Sequence, residues 1–164
     1  ISRKNKMTSV ILQDFPVTNL SDDSNTTLYE LALNRRVVID FWTTKCTRCP
    51  AALEKLNDIA EKNSSDLFIS CVLNDKEVAA DIVSDGSWEN MTHIFVEPEV
   101  KESLKAQFGF TEVPYCLVVN SNHEVLGSGN PKDLNITELL KSNSSTSSST
   151  SNNLSTNVFD SDDF

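Results

Sequence analysis

The chain has 164 residues, a net charge of −10 and 38% apolar residues, with a pI near 4.6. That length fits one domain with appendages. The acidic balance argues against a nucleic-acid phosphate partner and an anionic membrane surface, and no apolar run approaches the roughly 20 residues of a membrane-spanning helix.

Taken in order, residues 1–6 read as an N-terminal extension before Met7. Ser9-Val10-Ile11-Leu12-Gln13 is expected as a first strand, and Phe15 to Leu20 as a second extended piece. Thr27 and Glu30 stand three apart, the spacing of a capping box. Leu28, Leu31 and Ala32 then predict a short helix. Val37-Val38-Ile39-Asp40-Phe41-Trp42 is an apolar, β-branched run and predicts a buried strand. Thr43-Thr44-Lys45-Cys46-Thr47-Arg48-Cys49-Pro50 follows, and Leu53, Leu56, Ile59 and Ala60 share one helical face. The two cysteines therefore sit where a strand gives way to a helix, whose free N–H groups favour a thiolate.

Leu67 to Leu73, with Cys71 inside it, predicts a second buried strand. Strand, helix and strand make a right-handed crossover, so the two strands should be parallel neighbours. Lys76 to Ser84 reads as a helix, His93 to Val96 as a short extended piece, and Glu99 to Phe108 as a helix closed by Gly109. Tyr115 to Asn120 and Glu124 to Gly127 read as an antiparallel pair. Asp133 is placed to cap a last helix carrying Leu134, Leu139 and Leu140. The folded domain is expected to span residues 7–141. Residues 142–164, rich in Ser, Asn and acids, are expected as a disordered tail.

Asp40-Phe41-Trp42 followed by Cys46-x-x-Cys49 resembles the active-site strand and loop of the thioredoxin superfamily. Val113-Pro114-Tyr115-Cys116 resembles that family's cis-proline segment. The long separation of the two motifs is similar to the TlpA-like and nucleoredoxin-like branch. The resemblance implies an α/β, thioredoxin-like fold: a central mixed sheet with helices on both faces. It implies a thiol–disulfide oxidoreductase that exchanges electrons with protein disulfides through Cys46 and Cys49.

Cys46 is then the nucleophile and Cys49 the resolving thiol. Lys45 and Arg48 bring positive charge to the first sulfur. Asp40 would be costly to bury, so its pKa should rise, and the resemblance assigns it proton exchange with Cys49. Trp42, Lys45, Thr47, Arg48, Val113 and Pro114 are expected to line the substrate groove. This chain departs from the family pattern in having Lys45 before the first cysteine and Thr47-Arg48 between the two. Those residues tune the redox poise, so the family's usual potential does not transfer.

No cofactor is expected. The implied partners are protein disulfide substrates and a thiol reductant or reductase, with the chain a monomer. A cytoplasmic location is expected, with an organelle after loss of a transit segment as the alternative. The competing reading is a thioredoxin-fold binding or adaptor module that uses the groove without turnover. A zinc site is disfavoured, because one Cys-x-x-Cys supplies two ligands and His93 and His123 lack ligand spacing; each reads as a surface or turn residue. Thr43-x-x-Cys46 matches part of a peroxiredoxin motif, but the proline that motif needs earlier is absent. Cys71 and Cys116 read as buried core thiols.

Overall fold

A computed structural model describes residues 10–145. Twelve elements follow in chain order: β1 (Pro16–Asn19), β2 (Asn25–Thr27), α1 (Leu28–Leu31), β3 (Val37–Trp42), α2 (Cys49–Glu61), β4 (Leu67–Val72), α3 (Lys76–Gly86), β5 (Thr92–Phe95), α4 (Pro98–Phe108), β6 (Tyr115–Val119), β7 (Val125–Gly129) and α5 (Ile136–Ser145). The strands form one sheet in the order β2-β1-β5-β4-β3-β6-β7. β3 runs parallel to β4, and β4 to β5. β3 is antiparallel to β6, and β6 to β7.

All six residues of β3 are buried. The cause is that both faces of the sheet are covered, so alternate side chains enter two different cores. Val37, Ile39 and Phe41 pack with Leu28, Val100 and Leu104 on the face carrying α1 and α4. Val38 and Trp42 pack with Leu53, Leu56, Ala79, Ile136 and Leu140 on the face carrying α2, α3 and α5. Asp40 lies between Val38 and Trp42, so strand alternation turns it toward the α2 face. The β3–α2–β4 unit makes its two strands parallel neighbours, as the crossover rule requires.

Local signals explain the start of α1 and the end of α4. The Thr27 hydroxyl accepts from the Glu30 N–H at 3.2 Å, while the Glu30 carboxylate accepts from Thr26 rather than completing a reciprocal box. Gly109 takes φ 70° after α4, and its N–H returns to the Lys105 carbonyl at 2.7 Å.

Three expectations need correction. The strand expected over residues 9–13 is, in its described part, a single bridge between Ile11 and Glu124. Val10 and Ile11 are exposed and only Leu12 enters the core, so nothing there buries an alternating face. The last helix is capped by Asn135, whose side chain accepts from Glu138 N–H at 3.2 Å, and not by Asp133. That helix also continues to Ser145, past the boundary expected at residue 141. Residues 1–9 and 146–164, which hold the expected extension and most of the expected tail, lie outside the described residues.

Candidate active site

The end of β3 delivers the chain into two successive turns. Cys46 N–H donates to the Thr43 carbonyl at 3.3 Å, and Cys49 N–H donates to the Cys46 carbonyl at 3.3 Å. These turns delay the helix, so α2 starts at Cys49 and not at Cys46. Cys46 therefore lies in the loop just ahead of the helix, and Cys49 holds the first helical position, followed by Pro50, where a missing N–H is harmless. Asn74, just beyond β4, fastens the loop from the side. Its carbonyl accepts from Thr44 N–H at 2.9 Å, and its amide donates to the Thr44 hydroxyl at 3.1 Å. Sequence reading missed Asn74; its signal was a lone amide at the carboxyl end of a buried strand.

Cys46 and Cys49 are joined in a disulfide, with Cα atoms 5.4 Å apart. Cys46 is half-buried and Cys49 fully buried. Lys45, Thr47, Arg48 and Pro50 are exposed around them. The loop before β6, the strand next to β3, closes in: the Val113 carbonyl oxygen lies 3.6 Å from Cys46 Sγ. The Val113–Pro114 peptide is cis. Val113 is half-buried and Pro114 buried.

Asp40 is fully buried, and neither carboxylate oxygen has a hydrogen-bond partner among the described residues. Burial alone pushes its pKa well above the usual carboxylate range. The register places Cys116 opposite it on β6 and Ser70 beside it on β4. Cys116 is as buried as Asp40, and its thiol is pushed well up, first by burial and then by the Asp40 charge. Cys71 is buried on the opposite face and is raised by the same two causes.

Two residues sit elsewhere than expected: Trp42, expected in the groove, and His93, expected at the surface or in a turn. Trp42 does not line a groove: it is 1% exposed, and its indole Nε1 donates to Ser70 Oγ at 3.3 Å. Strand parity explains this, since Trp42 points to the same interior as Val38. His93 is not a surface residue either. Its Nδ1 lies 2.6 Å from Ser70 Oγ and its Nε2 2.8 Å from the Trp88 carbonyl. Burial lowers its pKa. His123 does sit in a turn, stacked on Tyr29 with ring centroids 4.1 Å apart. Among the described residues no three His, Cys, Asp or Glu side chains gather as a metal site, and no helix is long and apolar enough to cross a membrane.

The geometry as a whole is one of a half-buried cysteine, a buried second cysteine bonded to it and a buried acid on the α2 side of the sheet. No protein-family model matches the chain, and no curated relative does. Solved structures do match. A thiol:disulfide interchange protein from Bacteroides sp. is 11% identical, with a TM-score of 0.68 over 84% of this chain and 88% of that one. A thioredoxin-like protein from Aeropyrum pernix is 16% identical, with a TM-score of 0.64 over 79% and 89%. The thioredoxin domain of a thiol-disulfide oxidoreductase from Bacteroides vulgatus is 12% identical, with a TM-score of 0.63 over 72% and 84%.

Proposed function

From the thioredoxin-like fold of this chain, we propose a thiol–disulfide oxidoreductase that exchanges electrons with protein disulfides through Cys46 and Cys49. The observation that carries the reading is the asymmetry of the pair: Cys46 is half-buried with its sulfur beside Val113, and Cys49 is buried at the start of α2.

In the reducing direction, the Cys46 thiolate attacks one sulfur of a substrate disulfide. A mixed disulfide forms and the first substrate thiolate leaves. Cys49 then loses its proton to Asp40, and its thiolate attacks Cys46 Sγ. The Cys46–Cys49 disulfide forms and the second substrate thiolate leaves. Two electrons have moved from the pair to the substrate, and an external thiol must return them. Asp40 suits the proton step because burial brings its pKa up from the carboxylate range, closer to that of a thiol. Lys45, Thr47, Arg48, Val113 and Pro114 form the surroundings in which the substrate segment would lie; Trp42 supports the site from the core.

The test is disulfide turnover by the reduced protein and by Cys46→Ser, Cys49→Ser and Asp40→Asn. Cys46→Ser should abolish turnover. Cys49→Ser should accumulate a mixed disulfide through Cys46, visible by mass. Asp40→Asn should slow the resolving step. Substrate binding that survives intact in Cys46→Ser, with no turnover by the wild type, would support the adaptor reading instead.

A further inference from the structure

A cavity of ≈ 140 Å³ opens between the start of the Cys46 loop, α4 and the loop before β6. Thr43, Phe110, Val113, Lys101 and Lys105 are among the residues that line it. Two of these also touch Cys46: Thr43 through its carbonyl, and Val113 through the 3.6 Å contact with Sγ. Lys101 and Lys105 stand one turn apart on α4 and are half-buried. Neither ammonium has an ion pair or hydrogen bond among the described residues, and the same holds for Lys45 and Arg48 on the loop. Glu112 is the one acid in the lining. In a chain of net charge −10, two unpaired lysines thus line this cavity, and Lys45 and Arg48 flank Cys46 in the loop next to it.

We propose that this cavity receives an aspartate or glutamate side chain of the protein whose disulfide is exchanged, so that the enzyme prefers acidic flanks. The proposal rests on the oxidoreductase reading above. A substrate cysteine bonded to Cys46 would bring its own neighbours past Val113. An extended chain advances about 3.3–3.6 Å per residue, so the residues within about three of that cysteine sweep about 10 Å past Val113, whose side of the loop the lysine-lined cavity adjoins. Phe110 and Val113 put apolar surface beside the lysines, which lowers the local dielectric and strengthens an ion pair formed there. The protein's remote acids act weakly over this range, because at 0.1 M salt charges beyond about 10 Å are screened.

The experiment compares kcat/KM for three otherwise identical disulfide peptides carrying Glu, Gln or Lys two residues from the cysteine. Bis(2-hydroxyethyl) disulfide serves as a small neutral substrate. The wild type should favour the Glu peptide over the Gln peptide by about fivefold, as two partly exposed pairs allow, and the Lys peptide should be slowest. In Lys101→Gln/Lys105→Gln the Glu-to-Gln ratio should fall to about one. In Lys101→Glu/Lys105→Glu the order should invert in favour of the Lys peptide, an outcome that misfolding cannot imitate. Equal wild-type rates on the Glu and Gln peptides, or an unchanged ratio in both variants, would overturn the proposal while leaving the oxidoreductase intact. No exchange with any of the four disulfides would instead overturn the oxidoreductase reading itself.

Discussion

Asp40 and Cys116 face each other across the β3–β6 ladder, both with no exposed surface. One is a carboxylic acid that burial keeps protonated above its usual range; the other is a thiol that the ionised form of that acid pushes further up. Their pairing puts a proton store on the α2 side of the sheet, and it costs stability to keep it there.

The first prediction concerns that cost. Asp40 has its folded-state pKa raised above the unfolded value of about 3.9. Below about pH 3.9 both states hold the proton and the residue is neutral in effect. As pH rises, the unfolded chain releases the proton first, and stability is lost until the folded pKa is passed. Asp40→Asn should therefore be more stable than wild type at pH 7, with the gap shrinking toward pH 4. Urea unfolding at both pH values measures it; a gap that stays constant with pH would remove Asp40's titration from the stability of this fold.

The same surroundings predict a hierarchy of thiols. Reactivity follows the thiolate, and burial raises the pKa of Cys71 and Cys116. In the reduced folded protein at pH 8, iodoacetamide should reach half-buried Cys46 first, while Cys71 and Cys116 should be modified only on unfolding. Mass mapping of a brief labelling pulse gives the order. Early labelling of Cys116 would show that β6 opens locally.

Sequence periodicity reaches only those features of the site that are local. β3 is legible because a two-sided core demands an unbroken apolar run, and Asp40 stands out as the one exception within it. Leu104 and Gly109 mark a helix face and its stop in the same local way. Trp42 was readable in principle, since it shares strand parity with Asp40, but its neighbourhood with the cysteines suggested a groove. The row Cys116, Asp40, Ser70, His93 was not readable. Its members come from four strands, and they become neighbours only through the registers of three ladders. Asn74 is hidden for the same reason: its partner Thr44 lies 30 residues away. The start of α2 at Cys49 follows from two consecutive turns, which carry no apolar pattern for sequence reading to use.

His93 yields a second pH prediction of opposite slope. The Trp88 carbonyl can only accept, so Nε2 carries the proton, and Nδ1 accepts from Ser70, whose oxygen accepts from Trp42 Nε1. Protonating Nδ1 would reverse its bond to Ser70 and turn the hydroxyl hydrogen away from the ring, and burial already lowers the pKa. Below the unfolded value of about 6.5 the unfolded chain binds a proton that the folded one refuses, so stability falls as pH falls from there toward the folded pKa. His93→Gln should flatten that fall between pH 6.5 and 5. Trp42 and Trp88 are the chain's two tryptophans, so fluorescence-monitored unfolding reads the change directly. An equal slope in the variant would mean that His93 does not carry it.

Arg36 gives the last prediction, because it joins the sheet to the final helix. Its Nε donates to Asp66 Oδ1 at 2.9 Å, and its Nη1 donates to the Leu140 carbonyl in α5. The Asp66 side chain is only 4% exposed, whereas Arg36 is 23% exposed. Removing the guanidinium would strand a carboxylate with little access to water and free a helix carbonyl. Charged groups left without a partner in such places cost more than the net value of the pair. Arg36→Ala should therefore destabilise the fold by about 2–3 kcal/mol. Arg36→Lys, which keeps the charge but not the fork, should cost less, and adding Asp66→Asn to Arg36→Ala should recover part of the loss. Amide exchange along α5 should speed up in Arg36→Ala beyond the global change, since Leu140 loses its tie to the sheet. If the variant unfolds within about 0.5 kcal/mol of wild type, as ordinary surface substitutions do, the helix is held by Ile136 and Leu140 packing alone.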